Sequence, residues 1–93
     1  MFVTRVVDDV RYSATAKKFI KKAEPRLKKQ IKENIDKLKV LPCEGDIKPL
    51  EGYNDGRKRL RFGKYRIIFR HDDNGILLIL EIIDVGLRGD IYK

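Results

Sequence analysis

Residues 57–70 read RKRLRFGKYRIIFR and hold seven basic residues, Arg57, Lys58, Arg59, Arg61, Lys64, Arg66 and Arg70, with no acid among them. A guanidinium presents a planar fork of N–H donors that matches two phosphate oxygens at once, and it keeps its charge at any ordinary pH. Such a row can grip a nucleic-acid backbone and stabilise charge developing on a phosphate, but it shuttles protons poorly. The same segment alternates charged and apolar residues about Gly63-Lys64, a Gly-X pair of the kind that joins antiparallel strands. With Phe62 and Tyr65 flanking the turn, alternation puts Leu60, Phe62, Tyr65, Ile67 and Phe69 on one face. Arg57, Arg59, Arg61, Arg66 and Arg70 share the other face with Ile68. In that register Arg61 stands across from Arg66, and Arg57 across from Arg70. Like charges directly opposite each other destabilise a sheet by up to about 1 kcal/mol per pair. A bound polyanion would offset that repulsion. Among the acids, Glu81 is expected to fall opposite Arg66 if residues 71 and 76 close the next hairpin. One carboxylate cannot neutralise five guanidiniums.

The elements that must position this hairpin follow from periodicity. Residues 5–12 (RVVDDVRY) predict a first strand with Val10 and Tyr12 on one side. Ser13 suits the N-cap of a helix in which Ala16, Phe19, Ile20 and Ala23 share a stripe. Pro25 suits the first turn of a second helix, with Leu27, Ile31, Ile35 and Leu38 along one side. Pro42, Gly45, Pro49 and Gly52 mark 41–56 as a loop with at most a short extended piece. Asp72-Asp73-Asn74-Gly75 turns the chain into ILLILEII (76–83), apolar on both faces except Glu81, hence a central strand beside which the first strand lies. The expected fold is α+β in the order β-α-α-β-β-β: a helical hairpin packed on one face of a mainly antiparallel four-stranded sheet, residues 1–93 forming one domain.

The chain has 93 residues, 22 Lys plus Arg against 14 Asp plus Glu, and a net charge of +8. Residues 17–39 carry ten basic and three acidic residues, and 57–70 carry the seven just named, so the rest of the chain is net acidic. Positive charge gathered in two segments marks a polyanion-binding protein. The helical lysines Lys17, Lys18, Lys21, Lys22, Lys28, Lys29 and Lys32 form one group, with a solvated solubility face as the simpler alternative. No apolar run approaches the ~20 residues of a bilayer span. Asp8 and Asp9 fall where an export signal needs apolar residues, and the lone Cys43 fits a reducing cytoplasm. Cys43 reads as a small semi-buried filler. His71, on the core-facing parity of its strand, reads as structural. One His and one Cys leave no zinc-binding pattern, and neither a metal nor a cofactor is expected.

Three stretches in order, KPLEG (48–52), RKRLRFGKYRIIF (57–69) and DVGLRGDIY (84–92), resemble the RelE/ParE superfamily of toxins from toxin–antitoxin pairs. The resemblance runs from about residue 10 to the end. In the RelE branch it implies a metal-independent, ribosome-dependent endoribonuclease that cleaves mRNA in the ribosomal A site and so inhibits translation. The 2′-hydroxyl attacks the adjacent phosphate, leaving a 2′,3′-cyclic phosphate and a 5′-hydroxyl. The family's site residues then correspond to Arg57, Arg59, Arg66, Arg88 and Tyr92, with Arg61, Arg70 and the helical lysines as further RNA contacts. Leu87 stands where many members carry a histidine, which leaves acid–base work to Tyr92. The implied partners are a cognate antitoxin, the ribosome with its rRNA, and mRNA. Lys93 directly after Tyr92 leaves no room for the C-terminal helix that some relatives carry over the site. Two alternatives stay open: a ParE-like inhibitor that binds DNA gyrase without nuclease chemistry, and a non-catalytic basic nucleic-acid-binding module.

If the helical lysines contact rRNA, neutralising three of them weakens ribosome association and flattens its salt dependence by about one unit of slope per lost phosphate contact. Binding measured across a salt series checks this, and identical slopes would mark the lysines as a solubility face.

Overall fold

The computed structural model describes residues 4–87. Its elements in chain order are β1 (Arg5–Val6), β2 (Asp9–Tyr12), α1 (Ala14–Lys22), α2 (Pro25–Leu38), β3 (Val40–Leu41), β4 (Asp46–Pro49), β5 (Lys58–Phe62), β6 (Tyr65–Asp73) and β7 (Leu78–Leu87). The α+β class and the two helices are as expected, but the main sheet has five strands, in the order β2-β7-β6-β5-β4. β2 runs parallel to β7, and every other pair in that sheet is antiparallel.

The fifth strand is β4, inside the segment expected to be mainly loop. Pro49 is tolerated there because the strand lies at the sheet edge and ends at the proline. Gly45 leads into it with φ +118, and a side chain at that position would come within 2.6 Å of Leu60 Cδ1. The edge strand therefore approaches the core only because residue 45 has no side chain. The first predicted strand also divides. β1 pairs with β3 in a separate two-stranded ladder, and the Asp8 carboxylate accepts from Leu78 N–H at 2.7 Å where the chain passes into β2.

The helices form where the stripes predict them. Ser13 Oγ accepts from Ala16 N–H at 3.0 Å as the N-cap of α1, and Pro25 opens α2. Ala16, Ile31, Ile35 and Leu38 of the helices meet Leu60, Ile67, Phe69, Leu80, Ile82 and Val85 of the sheet in one core. Val10, Tyr12, Phe62 and Ile47 pack against its margin, and Tyr65 lies edge-on to Phe19 of α1. Gly63 has φ +54 in the β5–β6 turn, the left-handed first position of a Gly-X hairpin loop.

The last hairpin departs from expectation. Asp73 pairs with Leu78, because Asn74 Oδ1 accepts from the N–H groups of both Ile76 and Leu77 and draws them into the turn. Ile76 and Leu77 are exposed, and β7 runs on to Leu87 instead of ending at residue 83. A bulge between Ile68 and Phe69 then shifts the register, since Ile68 faces Asp84 while Phe69 faces Ile82. The extra residue, Ile83, lets Ile82 and Val85, three positions apart, both reach the core. The Asp73–Leu78 closure thus sets Glu81 opposite Arg70, and the bulge sets Arg66 opposite Gly86.

Phe69 is fully buried at the centre of this core. Phe69→Ala is expected to lower the unfolding free energy by about 3–5 kcal/mol, and Leu77→Ser, in the exposed turn, to stay within about 0.5 kcal/mol. Urea denaturation of both variants measures the difference.

Candidate nucleic-acid interface

The β5–β6 ladder has the register the alternation predicts: Phe62 pairs with Tyr65, Leu60 with Ile67, and Arg61 with Arg66. Leu60, Ile67 and Phe69 enter the core beneath the helices, so Arg59, Arg61, Arg66 and Arg70 project from the other face, with Arg59 opposite Ile68. Arg59 and Arg66 are only 8% exposed, the two buried charged residues among those described. Arg59 Nη1 is buried and makes no hydrogen bond among the described residues. Burying a guanidinium is costly unless an anion meets it, which gives this pair more weight than solvated arginines would have.

Carboxylates meet this face from more directions than sequence reasoning supplied. Asp46 of β4 accepts from Arg61 Nε at 2.8 Å and places its other oxygen 4.0 Å from Arg59 Nη1. Asp55 accepts from Arg57 Nε at 3.1 Å and Nη2 at 2.8 Å, and the Arg57 guanidinium also stacks over Tyr53, 4.0 Å from the ring centroid. Arg70 lies 3.1 Å from Glu81 and 3.5 Å from Asp72. The expectation of a single relieving carboxylate opposite Arg66 is thus corrected on both counts. The ion pair of Glu81 is with Arg70, and Asp46, Asp55 and Asp72 join it. The hydrogen bond to Arg57 holds the Asp55 carboxyl down at about 2, and the bond to Arg61 lowers that of Asp46. The only signal for these acids was their place beside the hairpin in an otherwise net-acidic remainder of the chain.

The helical lysines belong to the opposite layer. Lys17, Lys21, Lys28 and Lys32 rim a groove floored by Tyr12, Ile20, Ile31 and Ile35, while Lys18 and Lys22 stand with Lys64 around a second groove over Phe19 and Tyr65. Lys29 is exposed. The helical lysines and the hairpin arginines therefore form separate surfaces on either side of the sheet, with Lys64 at the β5–β6 turn joining the helical one. His71 and Cys43 lie on the core side, at the end of α2. His71 Nε2–H donates to Leu38 O at 2.8 Å, and the ring meets Phe69 edge-on. Cys43 Sγ lies 3.7 Å from the same carbonyl, and burial pushes its thiol pKa up. Both satisfy a carbonyl that the helix end leaves open, and a protonated thiol is no nucleophile. Arg88 and Tyr92 lie outside the described residues. Among the described residues no group of three His, Cys, Asp or Glu could hold a metal, and no helix is long and apolar enough to cross a membrane.

The profile of the ParE toxin of type II toxin–antitoxin systems matches residues 10–86. The chain belongs to this toxin family. Within the RelE/ParE superfamily, the toxin is similar to the RelBE2 toxin–antitoxin complex from Mycobacterium tuberculosis, with 29% identity and a TM-score of 0.72 over 96% of this chain and 100% of that one. It is similar to the RelB–RelE complex from Methanococcus jannaschii at 29% identity and a TM-score of 0.63, over 88% of this chain and 94% of that one. The archaeal RelE–RelB complex from Pyrococcus horikoshii shares the fold at 24% identity and a TM-score of 0.71, over 87% of this chain and 94% of that one. No curated protein matches the toxin significantly.

The Asp55–Arg57 pair can be tested by titration. Asp55 has its pKa lowered to about 2, so its contribution to stability is fully present above the ordinary carboxylate value and is lost as pH falls through about 2. NMR titration of Arg57→Ala should show the Asp55 carboxyl returning to about 4.

Proposed function

We propose that the toxin is a RelE-like endoribonuclease that cleaves mRNA on the ribosome by 2′-hydroxyl attack on the adjacent phosphate. The observation that carries this reading is the burial of Arg59 and Arg66 on the sheet face away from the helices, with Arg61 directly opposite Arg66. Fixed cations in a partly dehydrated setting stabilise a phosphorane better than solvated ones, because they need no reorganisation as charge develops. Arg59, Arg66 and, by the family resemblance, Arg88 are assigned to the scissile phosphate. Arg57 and Arg61 extend the contact along the strand, Arg70 lies at its far end, and Tyr92 acts on the 2′-hydroxyl or stacks on the neighbouring base. The helical lysines, on the other layer, would meet rRNA rather than the cleaved strand. This chemistry uses neither metal nor cofactor. The likeness to toxins solved as RelB–RelE complexes supports the RelE branch and a cognate antitoxin that neutralises the toxin.

A second reading is a ParE-like gyrase inhibitor, and the match to the ParE profile favours it. In that case the arginine face binds without chemistry.

One set of assays separates the two. Ribosomes programmed with a defined mRNA are incubated with the toxin and the new RNA ends are mapped, while gyrase supercoiling is followed in parallel. The nuclease reading expects cleavage ending in a 2′,3′-cyclic phosphate. Arg66→Lys and Arg88→Ala should lower the single-turnover rate by about 10²–10³, and Tyr92→Phe by about 10²–10⁴ with ribosome affinity unchanged. Intact mRNA together with inhibited supercoiling would replace it with the gyrase reading.

A further inference from the structure

β4 holds its place at the sheet edge through backbone pairing with β5 and through Ile47, which packs against the core. The Asp46 side chain does neither. Its position opposite Arg61 in the ladder brings the carboxylate over β5, where Oδ2 accepts from Arg61 Nε at 2.8 Å and Oδ1 stops 4.0 Å short of Arg59 Nη1. That second distance is too long for a hydrogen bond. The Arg59 side chain is only 9% exposed, and its Nη1, already out of water, has no hydrogen-bond partner among the described residues. A buried charged donor left unused is costly, and it points to a ligand that completes it. The Asp46 carboxylate, held on the edge strand, hydrogen-bonds Arg61 and meets Arg59 only at ion-pair distance. The non-bridging oxygens of a phosphodiester, carried on a separate strand, can engage Arg59 and Arg61 together.

We propose that Arg59 and Arg61 form a phosphodiester subsite in which Asp46 is the resident counter-ion, displaced when an RNA strand binds. The inference rests on reading the arginine face as RNA-binding and adds a specific place for one phosphate of that strand. Asp46 is 46% exposed, so its carboxylate exchanges Arg61 for water at little cost. Before RNA arrives it offsets the repulsion between Arg61 and Arg66 and keeps the Arg61 fork aligned. When a phosphate arrives, it competes. The Arg61 hydrogen bond keeps the Asp46 carboxyl pKa below the ordinary value, so the counter-ion stays charged through the neutral range and yields to a competing anion rather than to pH.

The test compares wild type, Asp46→Asn, Asp46→Glu and Glu44→Gln, the last removing an equal charge from an exposed residue two positions away. Two probes are used. Inorganic phosphate is titrated against the arginine Nε–H signals by NMR. A short single-stranded RNA carrying 2′-O-methyl groups throughout, which cannot be cleaved by 2′-hydroxyl attack, is titrated across a salt series. Asp46→Asn should bind both probes roughly two- to fivefold more tightly at low salt, with the RNA salt slope steeper by about 0.7. Asp46→Glu, which keeps the charge, should show none of the gain of Asp46→Asn, and Glu44→Gln should change affinity by less than half as much as Asp46→Asn. Unchanged or weaker binding by a fully folded Asp46→Asn, an equal gain in Glu44→Gln, or no phosphate binding by any of the four would overturn the subsite. The phosphate effect without any RNA binding would uphold the subsite and remove the RNA reading instead.

Discussion

The antiparallel pairing of β5 with β6, in the register that sets Phe62 opposite Tyr65, is the constraint on which the rest of this toxin depends. Because side chains alternate across a strand, that single register sends Leu60, Ile67 and Phe69 beneath the helices and sends Arg59, Arg61 and Arg66 the other way. A slip by one residue would put guanidiniums in the core and apolar side chains on the binding face. The magnitudes explain why the like-charged face is tolerated. Opposed arginines cost up to about 1 kcal/mol, whereas burying each of the three large apolar residues stabilises the fold by about 1.5–3 kcal/mol. Burial wins, and the charge arrangement is carried with it.

The repulsion that remains is met by carboxylates from other parts of the chain. Asp46 comes from the edge strand, Asp55 from the loop before β5, Asp72 from the end of β6 and Glu81 from β7. None lies in the basic segment itself. The face is therefore a set of cations held in place by weak, mostly exposed pairs, which exchange easily for a stronger anion. Arg59 is buried with its Nη1 donor unused among the described residues. Under the proposed function a phosphate would complete that donor.

The second cationic surface serves a different purpose by position alone. Lysines on α1 and α2 rim apolar grooves on the helical layer, separated from the arginines by the sheet. Under the proposed function a surface of that kind would steer the toxin toward a large polyanion through long-range, salt-sensitive attraction. The arginine face, short in range and rich in forks, suits one strand held in register. Under the proposed function the two surfaces would divide the work of association and positioning.

Much of this architecture was legible in the residues. The stripes of α1 and α2, the Gly63-Lys64 turn and the two faces of the hairpin depend on local periodicity, which a sequence displays directly. What the sequence did not display were pairings between distant segments. β4 was hidden because two prolines and two glycines punctuate a strand whose one core residue is Ile47. The partner of Glu81 was misplaced because the Asn74 side chain captured two backbone N–H groups and moved the hairpin closure to Asp73 and Leu78, and a bulge at Ile68/Phe69 then set Arg66 opposite Gly86. The sequence by itself determined which residues share a face, since alternation is a property of each strand alone. Only the tertiary structure decided which charges meet across that face, because turn length, bulges and edge pairing set the contacts between strands and leave no periodic trace along the chain.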